Sequence, residues 1–111
     1  MKKEQKLLNN LPVDNLSKII YDLIRSGRRE KPVSTEHLMK VTNLSRRELR
    51  RKITNLIFNN NVPIGTSRRR GGYYIIRDDE DLRETVMPLQ SQINEELRRI
   101  NRIKDNYKGD E

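Results

Sequence analysis

The side chains in this chain with the most chemistry to offer are arginines gathered in two clusters. "SRRELRRKIT", from Ser45 to Thr54, holds Arg46, Arg47, Arg50, Arg51 and Lys52 against a single acid, Glu48. "TSRRRGGYYII", from Thr66 to Ile76, holds Arg68, Arg69 and Arg70 just ahead of two glycines. A guanidinium is permanently charged, and its planar fork of donors fits paired acceptor oxygens such as those of a phosphate. On a helix, Arg46 with Arg50 and Arg47 with Arg51 stand at i and i+4, where like charges repel by about 0.2–0.5 kcal/mol per pair. They also crowd a helix start, where acids are favoured. A fold by itself gains nothing from this arrangement, whereas a polyanion lying along the face turns each repulsion into a contact and releases counterions. Charged helix faces are ordinarily just solvated, and arginine stems also cover apolar surface. The lack of opposing acid sets this face apart.

The distribution of charge sharpens the point. The net charge is +8, and residues 1–44 contribute nine Lys/Arg against five acids, residues 45–77 nine against one, and residues 78–111 six against ten. The partial sums of +4, +8 and −4 put the positive field in the two arginine clusters and their neighbours. Such a field attracts polyanions, nucleic acid first and an anionic membrane surface second. With no cysteine, there is no disulfide framework, thiolate metal site or cysteine nucleophile, which fits a reducing, cytoplasmic setting. Apolar runs span only a few residues and no leader pattern is visible, so neither a membrane span nor a secretory signal is expected. His37 is the only histidine, and it is read as a surface or half-buried residue rather than a metal ligand. The acids of "DDED" lack the spacing of a cation loop. No catalytic triad, phosphate loop or paired catalytic carboxylates stand out, so neither an enzyme nor a cofactor or metal is expected.

At 111 residues there is room for one small domain and an appendage. With 32% hydrophobic residues, no Trp and one Phe, the core must come from Leu, Ile and Val on amphipathic elements. Residues 1–13 read as a partly flexible arm in which Leu7, Leu8 and Leu11 are available for packing. Leu16, Ile19, Ile20, Leu23 and Ile24 form a helical stripe, with Asp14 as N-cap and Gly27 as stop. Lys31 to Val33 is a loop or one short strand. Ser34 caps a second helix that buries Leu38 and either Val41 or Met39, and Thr42 to Leu44 is a turn. Ser45 with Glu48 is a reciprocal capping box opening a third helix. Its apolar arc is Leu49, Ile53, Leu56 and Ile57, with Arg47, Arg51 and Thr54 opposite and Arg50 at the edge. The helix should end within Asn59 to Asn61. Then the period changes to two: Val62, Ile64 and Thr66 alternate, Tyr73 to Ile76 is aromatic and β-branched, and "SRRRGG" is a hairpin tip. One of Tyr73 and Tyr74 should pack in the core.

This order, carried by "VSTEHLMKVTNLSRRELRRKITNLI" and "VPIGTSRRRGGYYII", resembles a winged helix-turn-helix domain over residues 14–77. "STEHLMKVTNLSRRELRRKI" is similar to the turn and capped start of a recognition helix, and "GGYYII" to the strand leaving the wing. The fold class implied is α+β, mainly α: three helices plus a β-hairpin wing. The resemblance also implies double-stranded DNA as the partner, with Ser45 to Phe58 in the major groove. Ser45, Arg46, Arg47, Arg50, Arg51 and Thr54 would contact that groove, and Arg68, Arg69 and Arg70 the neighbouring minor groove or backbone. The chain is also similar to small winged-helix proteins of phages and other mobile elements of Gram-positive bacteria, which act in replication or regulation. Transcriptional regulation and a replication-associated role both remain open. Two further readings stand beside DNA: a winged-helix module that binds a host protein, and RNA binding, for which aromatic stacking platforms are missing.

Residues 78–108 read as an amphipathic C-terminal helix, followed by a tail at 109–111. "RDDEDL" is an acidic helix start suited to the helix dipole. Leu82, Val86, Leu89, Ile93, Leu97, Ile100, Ile103 and Tyr107 form a near-heptad seam, irregular at Glu96. Pro88 predicts a break or kink near Met87. The seam either folds back onto the first helix and the Leu7 to Leu11 segment, or pairs with a second copy through Leu89, Ile93, Leu97, Ile100, Ile103 and Tyr107. Length and spacing favour a homodimer, which implies half-sites one helical turn apart, ~34 Å, or a multiple of it.

Overall fold

In the computed structural model, which describes residues 14–109, the Asp14 carboxylate accepts a hydrogen bond from the Ser17 N–H at 2.7 Å and so starts helix α1, Asn15–Arg25. The expected arm at 1–13 and the last two residues of the tail lie outside the described residues. Helix α2, Thr35–Thr42, is capped by Ser34, and Asn43 closes it in the left-handed region at φ 59°. Helix α3, Arg46–Asn59, carries both bonds of the expected box: the Ser45 N–H donates to Glu48 Oε1 at 3.0 Å, and the Glu48 N–H to Ser45 Oγ at 3.1 Å. Strands β1, Ile64–Thr66, and β2, Tyr73–Ile75, pair antiparallel with Ile64 opposite Ile75. Helix α4, Asp79–Gly109, follows. The fold is therefore mainly helical with a small two-stranded hairpin.

The extended segment before α2 joins the hairpin. Val33 and Tyr73 exchange backbone hydrogen bonds, each 2.8 Å long. The core beneath contains Ile20, Tyr21, Ile24, Leu38, Leu49, Ile53, Leu56, Val62, Ile64 and Ile75. Two details depart from the expected stripes, on α1 and α3, while on α2 the choice left open between Val41 and Met39 falls to Met39. On α1 the inward face is turned so that Tyr21 is 2% exposed and Ile19 42% exposed, because the helix packs against α2, α3 and β2 together rather than against one neighbour. On α2, Val41 is half exposed and Met39 packs at the core edge. On α3, Ile57 lies at the surface, since the stripe narrows to Leu49, Ile53 and Leu56 where the last turn leaves the core.

Helix α4 runs through Pro88 without interruption, against the expected break. Proline removes one donor from the backbone ladder. The helix is pinned on one side of it by contacts to the hairpin and continues with intact bonding on the other, so one lost bond does not end it. Tyr74 makes the pin. Its ring is fully buried against Gly65, where an added Cβ would lie 2.6 Å from the ring edge, and its hydroxyl donates to the Asp81 carbonyl at 3.0 Å. Thr85 Oγ1 accepts from the Thr66 N–H at 3.1 Å.

Beyond the pin the helix stands clear of the body. Every residue from Leu89 to Gly109 is exposed, and the fold-back onto α1, the less favoured of the two expected arrangements, does not occur among the described residues.

Gly72 sits at the close approach of the hairpin to Ser34, with φ 106° and its missing Cβ only 2.5 Å from the Val33 carbonyl oxygen. Gly72→Ala should lower unfolding stability in urea by about 2–3 kcal/mol. Gly109→Ala, in open space, should leave it within about 0.5 kcal/mol of the parent.

Candidate functional site

The expected site residues divide by what holds them. Ser45 is used in the α3 cap, and its hydroxyl is committed to the Glu48 N–H. Arg46 lies 3.5 Å from Glu36, in the first turn of α2. Lys52, flanking the cluster, is bonded to the Asp14 carboxylate at 2.8 Å. Arg47, Arg50 and Arg51 are exposed, and among the described residues their side chains carry no hydrogen bond or ion pair. Thr54 is exposed on the same helix. Leu49, Ile53 and Leu56 face inward, so the burial of α3's apolar stripe turns these guanidinium groups outward.

At the hairpin tip, Ser67 organises the turn from a buried position. Its carbonyl accepts the Gly71 N–H at 2.7 Å, and its hydroxyl accepts the Arg70 N–H at 3.1 Å. Arg68 and Arg69 are exposed with unpaired side chains among the described residues. Arg70 differs: its guanidinium donates to the Arg29 carbonyl at 3.3 Å and so points back towards the loop between α1 and α2.

The first turn of α2 links the two clusters. Glu36 touches Arg46 of α3, while Thr35 and Arg68 line a common cleft of about 190 Å³ between hairpin, α2 and the middle of α4. Segments far apart in sequence therefore meet around residues 34–36. The sequence reading missed this junction, because only the Val33–Tyr73 pairing creates it.

A second omission concerns the acids of α4. Arg29 gathers them: it donates to Glu80 at 2.9 Å, and its Nε lies 3.2 Å from Asp81 and 3.9 Å from Glu84. The bond to Glu80 holds the guanidinium above its already high ordinary pKa. Arg77 adds a second clamp, donating to the carbonyls of Gly27 at 2.9 Å, Ile75 at 3.0 Å and Arg25 at 2.7 Å, which satisfies the C-terminal end of α1. Glu80, Asp81 and Glu84 of α4 are thus engaged by Arg29, and among the described residues none of them pairs with Arg47, Arg50, Arg51, Arg68 or Arg69. Asp78 caps α4 by accepting the Asp81 N–H at 2.8 Å, in keeping with the acidic helix start read from "RDDEDL".

Among the described residues no cluster of His, Asp or Glu is arranged to hold a metal, and no helix is long and apolar enough to cross a membrane. No protein-family model, curated protein or solved structure matches the chain, so the chemistry of its own surfaces carries the functional reading.

The hydrogen bond from Lys52, with the Ser17 N–H second, draws the Asp14 carboxyl below its ordinary value. The Ser45 N–H does the same to Glu48. Because both pKa values are depressed on folding, their stabilisation is present above the unfolded values and is lost as pH falls through the folded ones, below about pH 4. Urea midpoints measured from pH 6 down to pH 3 should therefore fall, and the fall should be shallower in the double variant Asp14→Asn, Glu48→Gln. Ser45→Ala should cost about 1 kcal/mol at neutral pH.

Proposed function

We propose that this chain is a double-stranded DNA-binding protein built as a winged helix-turn-helix, with α3 as the recognition helix and the β1–β2 hairpin as the wing. The observation that carries the reading is the set of exposed, unpaired guanidinium groups: Arg47, Arg50 and Arg51 on α3, and Arg68 and Arg69 at the hairpin tip. Their mutual repulsion is uncompensated inside the fold, and a polyphosphate compensates it. In this arrangement α3 enters the major groove with its first turns nearest the base edges. Arg46 leaves Glu36 for a phosphate or base, since an exposed ion pair is worth only about 0–1 kcal/mol. Arg68 and Arg69 reach the adjacent minor groove or backbone. Thr54 stands at the far side of the same helical face, and Arg70 braces the tip against the Arg29 carbonyl.

The role is that of a transcriptional regulator or a replication-associated DNA binder acting in the cytoplasm. It needs neither cofactor nor metal and performs no catalysis. Duplex DNA is favoured over single strands because the basic faces carry no row of exposed aromatic rings on which unstacked bases would lie. Tyr74 is fully buried, and Tyr73 packs against the core.

Fluorescence anisotropy with a labelled duplex tests the reading. If about six phosphates are neutralised per protomer, log K against log salt should have a slope near −5. Arg47→Ala with Arg50→Ala and Arg51→Ala should abolish measurable binding at physiological salt. Arg68→Ala with Arg69→Ala should weaken all sequences alike and flatten the slope by about two. An unchanged slope in the hairpin variant, or no duplex binding by the parent, overturns the proposal.

A further inference from the structure

From Leu89 onward α4 projects from the rest of the described residues and carries an apolar seam that none of them covers. Leu89, Ile93, Leu97, Ile100, Ile103 and Tyr107 are 46–71% exposed, and an almost wholly apolar groove runs along the Leu89 to Ile100 part of that face. Most helical stability in proteins comes from packing of an apolar face, and among the described residues this face packs on nothing. We infer that this seam is the binding site for the same seam of a second copy, and that the two α4 helices run antiparallel with their twofold axis level with residue 98.

Spacing gives the first reason. Reflected about position 98, Leu89 falls on Tyr107 and Ile93 on Ile103, while Leu97 and Ile100 fall within a residue of each other. The seam is thus nearly its own mirror in sequence, as an isologous antiparallel contact requires.

Charge gives the second reason. On a helical wheel Glu96 falls inside the seam, between Ile103 and Leu89, on the side that Arg99 flanks, and Lys104 lies towards the other side. Antiparallel pairing sets like sides together, so that in this register Glu96 of each copy lies level with Arg99 of the other, giving two attractive contacts. Parallel pairing sets opposite sides together and brings Arg99 beside Lys104 of the partner copy, a like-charge contact made twice. The antiparallel arrangement also opposes the two helix dipoles.

Covering six half-exposed side chains on each copy removes on the order of 600 Å² per chain, or ~1,200 Å² in all, the lower end for a specific stable interface. The two bodies then stand at opposite ends of a rod, roughly 57 Å apart along its axis. This inference is independent of the DNA reading, and its test uses no nucleic acid.

Light scattering of the full chain at micromolar concentration should give twice the 13.3 kDa chain mass, and a monomer overturns the inference. Orientation is read from single cysteines, placed in a chain that has none of its own. A disulfide needs Cα atoms about 4.4–6.8 Å apart. Leu97→Cys should therefore link to itself under mild oxidation. Leu89→Cys and Tyr107→Cys, each alone, should remain unlinked, whereas a mixture of the two, one carrying a size tag, should give the mixed dimer. All substituted positions are exposed and distant from the core, so folding is preserved. Self-linking at positions 89 and 107 shows a parallel pair and overturns the arrangement, as does failure of the mixed pair to link in a chain that scatters as a dimer.

Discussion

Two backbone hydrogen bonds between Val33 and Tyr73, both 2.8 Å long, fix where the hairpin sits. Without them β1 and β2 form an isolated two-stranded ribbon, which is marginal in water. With them the hairpin gains an extended neighbour from the loop before α2, and the base of its tip lies against Ser34. Everything on the basic side of the molecule follows from this contact. It brings Arg68 to the cleft shared with Thr35, and α2 carries the connection onward to Arg46 of α3. It also explains why Gly72 must be glycine, since the Val33 carbonyl occupies the space of a side chain.

On the opposite side the corresponding joint is Asp81, one of the few buried charged residues. Its carboxylate accepts the Arg77 N–H and faces Arg29, and its carbonyl accepts the Tyr74 hydroxyl. A buried carboxylate is tolerable only when paired and hydrogen-bonded, and here the Arg29 guanidinium meets the first condition and the Arg77 N–H the second. The joint sets the direction in which α4 leaves the body. It also gathers Glu80, Asp81 and Glu84 of the helix start around Arg29, while Arg47, Arg50 and Arg51 carry no ion pair among the described residues.

Helix α3 holds its shape against its own charge. The capping box, the Asp14–Lys52 contact and the burial of Leu49, Ile53 and Leu56 each favour the helix, while the i, i+4 arginine pairs oppose it. Caps and burial are each worth about 1 kcal/mol or more and the repulsions a few tenths, so the helix persists with the repulsion stored on its outer face. The proposed function rests on that stored repulsion, which duplex DNA lying on this face would relieve.

Local chemistry was legible in the sequence: the three caps at Asp14, Ser34 and Ser45, the end of α3 among asparagines, the change of period that marks the hairpin, and the acidic opening of α4. Each depends on interactions within a few residues, which composition and spacing record directly. Other outcomes were decided only in three dimensions. Tyr21 rather than Ile19 entered the core because three elements pack on α1 at once. Pro88 stayed inside a helix because Tyr74 and Thr85 anchor the turn before it. Arg29 and Arg77, indistinguishable in sequence from the arginines of the basic face, became internal clamps because the chain returned acids and carbonyls to them from far along its length. The sequence by itself determined which segments are helical and where the positive charge lies. Only the tertiary structure decided which of those charges are neutralised and which are left facing outward, because pairing depends on distances between segments that local spacing does not encode.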